Sequence, residues 1–82
     1  MNSRKLLQKV VVSQANVRFG DMVKLVKAFG FQLRRVTGSH HIFIHPSVNE
    51  AVNIQNVRGQ AKPYQVRQVL KLIERYNLQL KD

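Results

Sequence analysis

Apolar residues recur along this chain at two spacings, and each spacing predicts its own kind of element. Phe19, Met22, Val23, Val26 and Phe29 stand at i, i+3, i+4, i+7 and i+10, the stripe of an amphipathic helix. Asn16 is a good cap type ahead of the stripe, Asp21 lies in its early part, and Gly30 stands where a left-handed residue ends a helix. The spacing predicts a helix over residues 17–29. Phe31 and Leu33 then alternate with Gln32 and Arg34 up to Thr37, Gly38-Ser39 intervenes, and His40 to His45 follows. This pattern predicts a β-hairpin in which Gly38 supplies the positive φ of a type II′ turn. His40 becomes the first residue of the second strand. Pro46 ends that strand, Ser47 to Glu50 reads as a linker, and Val52 and Ile54 alternate with Asn53 and Gln55 in a shorter third strand over 51–55.

The polar stretch from Asn56 to Lys62, flexible around Gly59, predicts a loop. Pro63 suits the first position of a helix, and Val66, Val69, Leu70, Ile73 and Tyr76 repeat the spacing of the earlier stripe. The outward row of this helix is Arg67, Lys71 and Arg75, cations four residues apart that are only partly relieved by Glu74. At the other end of the chain, Ser3 is a cap type for a short helix carrying Leu6, Leu7, Val10 and Val11, and Ser13-Gln14-Ala15-Asn16 reads as a break. The expected organisation is an arm over residues 1–15 and one α+β domain over 16–82: helix, three antiparallel strands, helix, with the helices on one face of the sheet. Which face they cover is open. His40, Ile42 and Ile44 share one side of their strand, and His41, Phe43 and His45 share the other.

Charge adds a partner to this picture. The 82 residues include 14 Lys and Arg against 4 Asp and Glu, a formal net charge of +10. So many uncompensated positive charges repel one another unless something acidic offsets them, and nucleic acid is the first such partner to consider. A chain of this size buries only about two-thirds of the surface its unfolded form exposes, which leaves no room for a deep cofactor cavity. The absence of cysteine removes a disulfide framework, a thiolate metal site and a cysteine nucleophile, and fits a reducing, cytoplasmic setting. Val10-Val11-Val12 is far short of the roughly 20 apolar residues of a membrane span, and no terminal polybasic block suggests a membrane tether.

All three histidines fall within six residues. Metal binding is the poorest reading of them, because His41 and His45 stand about 13 Å apart along one strand face and His40 points to the other. Ordinary surface histidines without a duty are one alternative. Acid–base catalysis is the other, since an imidazole titrates near neutrality and can take a proton from one oxygen and return one to another. In so basic a protein the substrate for that chemistry is RNA, whose 2′-hydroxyl attacks the adjacent phosphorus once deprotonated. Arg35, across the hairpin from His40, and Lys62 are cations suited to the charge that develops at phosphorus.

The stretch Gly30-Phe31, Arg35, Gly38-Ser39-His40, continuing through His41-Ile42-Phe43 to His45-Pro46, resembles the signature of the HicA toxins, small messenger-RNA interferases of type II toxin–antitoxin systems. The resemblance spans residues 17–80 and leaves the N-terminal arm outside. It implies a fold similar to a double-stranded-RNA-binding domain, α-β-β-β-α, in agreement with the order read from periodicity. It further implies a metal-independent endoribonuclease without cofactor, acting on mRNA and neutralised by a HicB-like antitoxin. The family's functional histidine, in its Gly-Ser-His motif, falls on His40. Arg35 and His41 are the expected accessory catalytic residues, and Arg34, Arg35, Ser39, Arg58, Lys62, Arg67, Lys71 and Arg75 the expected RNA contacts. An antitoxin should cover His40 and offer acidic residues to the row Arg67, Lys71 and Arg75. One departure stands out: many relatives carry Pro-x-His at the end of the third strand, where this chain has Gln55-Asn56-Val57-Arg58. His41 or His45 then serves as a second histidine, or His40 acts with a water and one cation. A non-catalytic RNA-binding module of the same fold is the alternative, using charge and shape but not the histidines.

Overall fold

In the computed structural model, which describes residues 2–81, the chain forms seven elements: α1 (Ser3–Val12), α2 (Phe19–Ala28), β1 (Gln32–Thr37), β2 (His40–His45), β3 (Val48–Val57), β4 (Gln60–Ala61) and α3 (Pro63–Arg75). The strands make one antiparallel sheet in the order β1-β2-β3-β4. The expected α-β-β-β-α arrangement is present, with a fourth short strand added and an N-terminal helix preceding it.

Phe43, Val52 and Ile54 are buried on one face of the sheet, and the stripes of α2 and α3 close over them through Met22, Leu25, Val26, Val66, Val69 and Leu72. The helices therefore cover the Phe43 side. His40, Ile42 and Ile44 lie on the side that stays open. α1 packs against α2 rather than standing apart as an arm, with Leu6 and Val10 1% exposed in the same core. Asn2, not Ser3, caps it: the Asn2 Oδ1 accepts the Lys5 N–H at 2.9 Å, and Ser3 is buried as the first helical residue.

Three further boundaries differ from the sequence reading. α2 begins at Phe19 with Arg18 at the cap position, because Val17 and Arg18 first run extended beside β4: Ala61 N–H donates to the Val17 carbonyl and Phe19 N–H to that of Gly59. Asn16 adopts φ 62° in the turn before it and caps nothing. The third strand runs over ten residues, Val48–Val57, so the expected linker at 47–50 is mostly strand. Its alternation is hidden by a bulge, in which Asn49, Glu50 and Ala51 span what Ile44 spans alone on β2. The expected flexible loop around Gly59 is instead a two-residue turn, with Arg58 and Gly59 at φ 53° and 82° in the type I′ manner, leading into β4. Asn56 Oδ1 accepts the Gly59 N–H at 2.8 Å and fixes this turn.

Candidate functional site

The Gly38-Ser39 turn sets the position of His40. Gly38 has φ 60°, as the first central residue of a type II′ turn requires, and Thr37 pairs with His40 across the hairpin. Arg35 pairs with Ile42 rather than with His40, because the two-residue turn already pairs Thr37 with His40; Arg34 is inserted as a bulge only beyond this, between Leu33 and Arg35. Arg35 thus shares the open face with His40 as its diagonal neighbour, within reach of a long side chain in antiparallel geometry.

The three histidines occupy three different environments. His45 is buried, at 8% exposure, and both ring nitrogens are taken: Nε2 donates to the Phe29 carbonyl at 3.1 Å and Nδ1 accepts the Ser47 N–H at 3.0 Å. Its ring meets Phe31 edge-on at 5.1 Å between centroids. His41 is half-buried on the covered face, stacked at a tilt on Phe19 at 4.6 Å, with Nδ1 3.1 Å from the Ser39 carbonyl. His40 is half-buried on the open face, where Nδ1 meets the side-chain amide of Asn53, 3.1 Å from Nδ2 and 3.3 Å from Oδ1. No described residue engages its Nε2. The structure does not bring His41 or His45 to His40, and no group of three His, Asp or Glu side chains converges among the described residues.

Cations gather at the end of the molecule where His40 stands. Asn56 N–H donates to the Ser39 carbonyl, Asn56 pairs with Ala61, and Phe19 N–H donates to Gly59. These links draw together the Gly38-Ser39 turn, the Arg58-Gly59 turn and the N-termini of α2 and α3. Arg18 and Lys62 occupy the two cap positions and neither forms a side-chain cap, so both helix ends present N–H groups and a cation instead of a capping oxygen. Lys62 also lies over the Tyr64 ring, 5.9 Å from its centroid. Arg67, Lys71 and Arg75 are all exposed, as expected of the outward row. The row leaves this end as α3 proceeds: Arg75 bonds Glu50 at 2.9 Å, and Glu50 lies roughly 15 Å along β3 from Gln55, the pairing partner of His40.

Two residues important to this end escaped the sequence reading. Gln65 is 2% exposed, and its Oε1 accepts the Gln55 N–H at 2.7 Å, closing β3 where β4 is too short to pair with it. Asn53 is the other. Its alternation on β3 was readable, but its meeting with His40 depends on a register that the β2–β3 bulge conceals.

A small basic α+β domain with a two-layer core, carrying one partly exposed histidine on its open sheet face at its cationic end, is the class that fold and site define. The match to a known family is specific: residues 19–74 fit the family described as HicA toxin of bacterial toxin–antitoxin. This covers more than half of the chain, which belongs to the HicA toxin family. No curated protein and no solved structure matches it.

Proposed function

We propose that this HicA-family toxin is a metal-independent endoribonuclease that cleaves mRNA through His40. The observation that carries the reading is the placement of His40, inside the matched segment, on the open face, with Nε2 unengaged, at the end of the molecule where α2 and α3 begin. Nε2 takes the proton of the 2′-hydroxyl as the 2′-oxygen bonds to phosphorus and the bond from phosphorus to the 5′-oxygen breaks. The 5′-oxygen leaves with a proton from solvent water, and the imidazolium returns its proton to the hydroxide so formed. The products are a 2′,3′-cyclic phosphate and a 5′-hydroxyl. Arg35, sharing the face, offsets the extra charge at phosphorus.

Arg34, Arg35 and Ser39 on the hairpin, with Arg58, Lys62 and Arg67 at the helix-bearing end, hold the phosphate backbone; Arg18, which the sequence reading left out, joins them. Lys71 and Arg75 reach toward the far end and suit the acidic surface of an antitoxin. His41 acts from the covered face by seating the Gly38-Ser39 turn on Phe19, not by touching RNA. Expression in growing cells tests the reading. Wild type is expected to arrest growth with loss of transcripts, relieved by a cognate antitoxin, and His40→Ala to do neither while remaining folded. Transcript loss undiminished by His40→Ala would leave the non-catalytic or another-residue reading in its place.

A further inference from the structure

Asn53, paired with Ile42, is the diagonal neighbour of His40 on the open face of the β2–β3 ladder, and it is the one side chain among the described residues that hydrogen-bonds the imidazole. We infer that Asn53 is a positioning residue, whose amide oxygen accepts Nδ1–H of His40 and holds the ring in the tautomer that leaves Nε2 bare as a base. The inference rests on the ribonuclease reading for its consequence, but the hydrogen bond can be tested without RNA.

Both amide atoms lie within hydrogen-bonding distance of Nδ1, the oxygen at 3.3 Å and the nitrogen at 3.1 Å. A half-turn of the amide exchanges them without moving the ring, so the chemistry of the ring decides which one faces it. If the amide N–H faced Nδ1, Nε2 would carry the proton and no base would be left on the open face. With the oxygen facing Nδ1–H, Nε2 keeps its lone pair, and the same bond persists when Nε2 gains a proton. One orientation thus serves the ring before and after proton transfer. Asn53 is half-buried and anchored on a central strand, so it holds the ring without following solvent. No second histidine replaces this function, because His41 and His45 are both on the covered face with carbonyl partners of their own.

Those two histidines supply internal standards. The carbonyl of Phe29 fixes His45 with its proton on Nε2, and the carbonyl of Ser39 fixes His41 with its proton on Nδ1. Nitrogen-15 correlation spectra of the neutral rings in the full chain are expected to show His40 grouped with His41, protonated on Nδ1, against the preference of a free imidazole for Nε2–H. Asn53→Ala should move His40 toward the Nε2–H form, and Asn53→Asp, which retains an acceptor, should restore Nδ1–H. His45 signals unchanged in both variants establish that the fold is intact. RNA cleavage, measured alongside, should fall about tenfold or more in kcat for Asn53→Ala, with KM little changed and recovery in Asn53→Asp. A wild-type His40 protonated on Nε2, or a tautomer indifferent to Asn53→Ala, overturns the inference. A tautomer that moves as predicted while cleavage does not would uphold the hydrogen bond and remove His40 as the base, so failure of the two readings is distinguishable.

Discussion

His40 and His45 stand at the two ends of one six-residue strand, and their neighbours give them opposite capacities. His45 spends both nitrogens on backbone groups, so it is a structural brace between β2 and the end of α2. His45→Ala leaves the Phe29 carbonyl and the Ser47 N–H without that partner, and should cost about 1–3 kcal/mol in urea unfolding. Gly30 is tied to the same spot. Its φ is 100°, and an added Cβ would lie 2.9 Å from Lys81 Cε and 3.1 Å from His45 Nε2. Gly30→Ala should lose about 1–3 kcal/mol of stability from backbone strain alone. The sequence pattern separated His40 from His41 and His45 by face, but which set was buried required knowing that Phe43, and not Ile42 and Ile44, met the helices. Alternation along a strand with apolar residues on both sides is silent on that point. The Gly38-Ser39-His40 motif, by contrast, was legible because a turn with a fixed φ demand leaves a glycine in the sequence.

At the scale of elements, the helical stripes carried the reading. Met22, Val26, Val66 and Val69 are fully buried where a 3.6-residue period placed them. Strand limits were less legible, since a bulge breaks the two-residue period and Asn49 and Glu50 are poor strand formers. The two-residue turn at Arg58-Gly59 carries a left-handed arginine where Asn or Asp is usual, so its hairpin went unseen. α1 lies outside the segment that matches the family, yet it contributes Leu6 and Val10 to the shared core. Leu6→Ala should therefore destabilise the whole molecule by about 2–5 kcal/mol in a single unfolding transition, not melt α1 alone. Gln65→Leu should cost about 1–3 kcal/mol by leaving the N–H of Gln55 unpaired in β3, two residues from Asn53.

Over the whole molecule, composition pointed to a polyanionic or acidic partner, and the fold distributes the charge unevenly. Both sheet-covering helices aim their N-termini at the His40 end, where Arg18, Arg58 and Lys62 also lie, while Arg75 is paired with Glu50 at the other. Arg58→Glu with Lys62→Glu should therefore weaken RNA binding more than Lys71→Glu with Arg75→Glu. The salt dependence should flatten by about 0.7 in log–log slope for each phosphate that the chain no longer neutralises. The second pair should instead weaken the complex with an acidic antitoxin; equal effects of the two pairs on RNA would contradict this polarity.

In the proposed mechanism His40 cuts RNA without a metal. Its most direct measurement is cleavage of a single-stranded RNA by the purified full-length chain in EDTA, with the fragment ends identified by mass. Wild type is expected to yield 2′,3′-cyclic phosphate and 5′-hydroxyl ends, and folded His40→Ala to be slower by about 100-fold or more. Cleavage that requires added divalent metal, leaves other ends, or proceeds equally in His40→Ala would contradict the account.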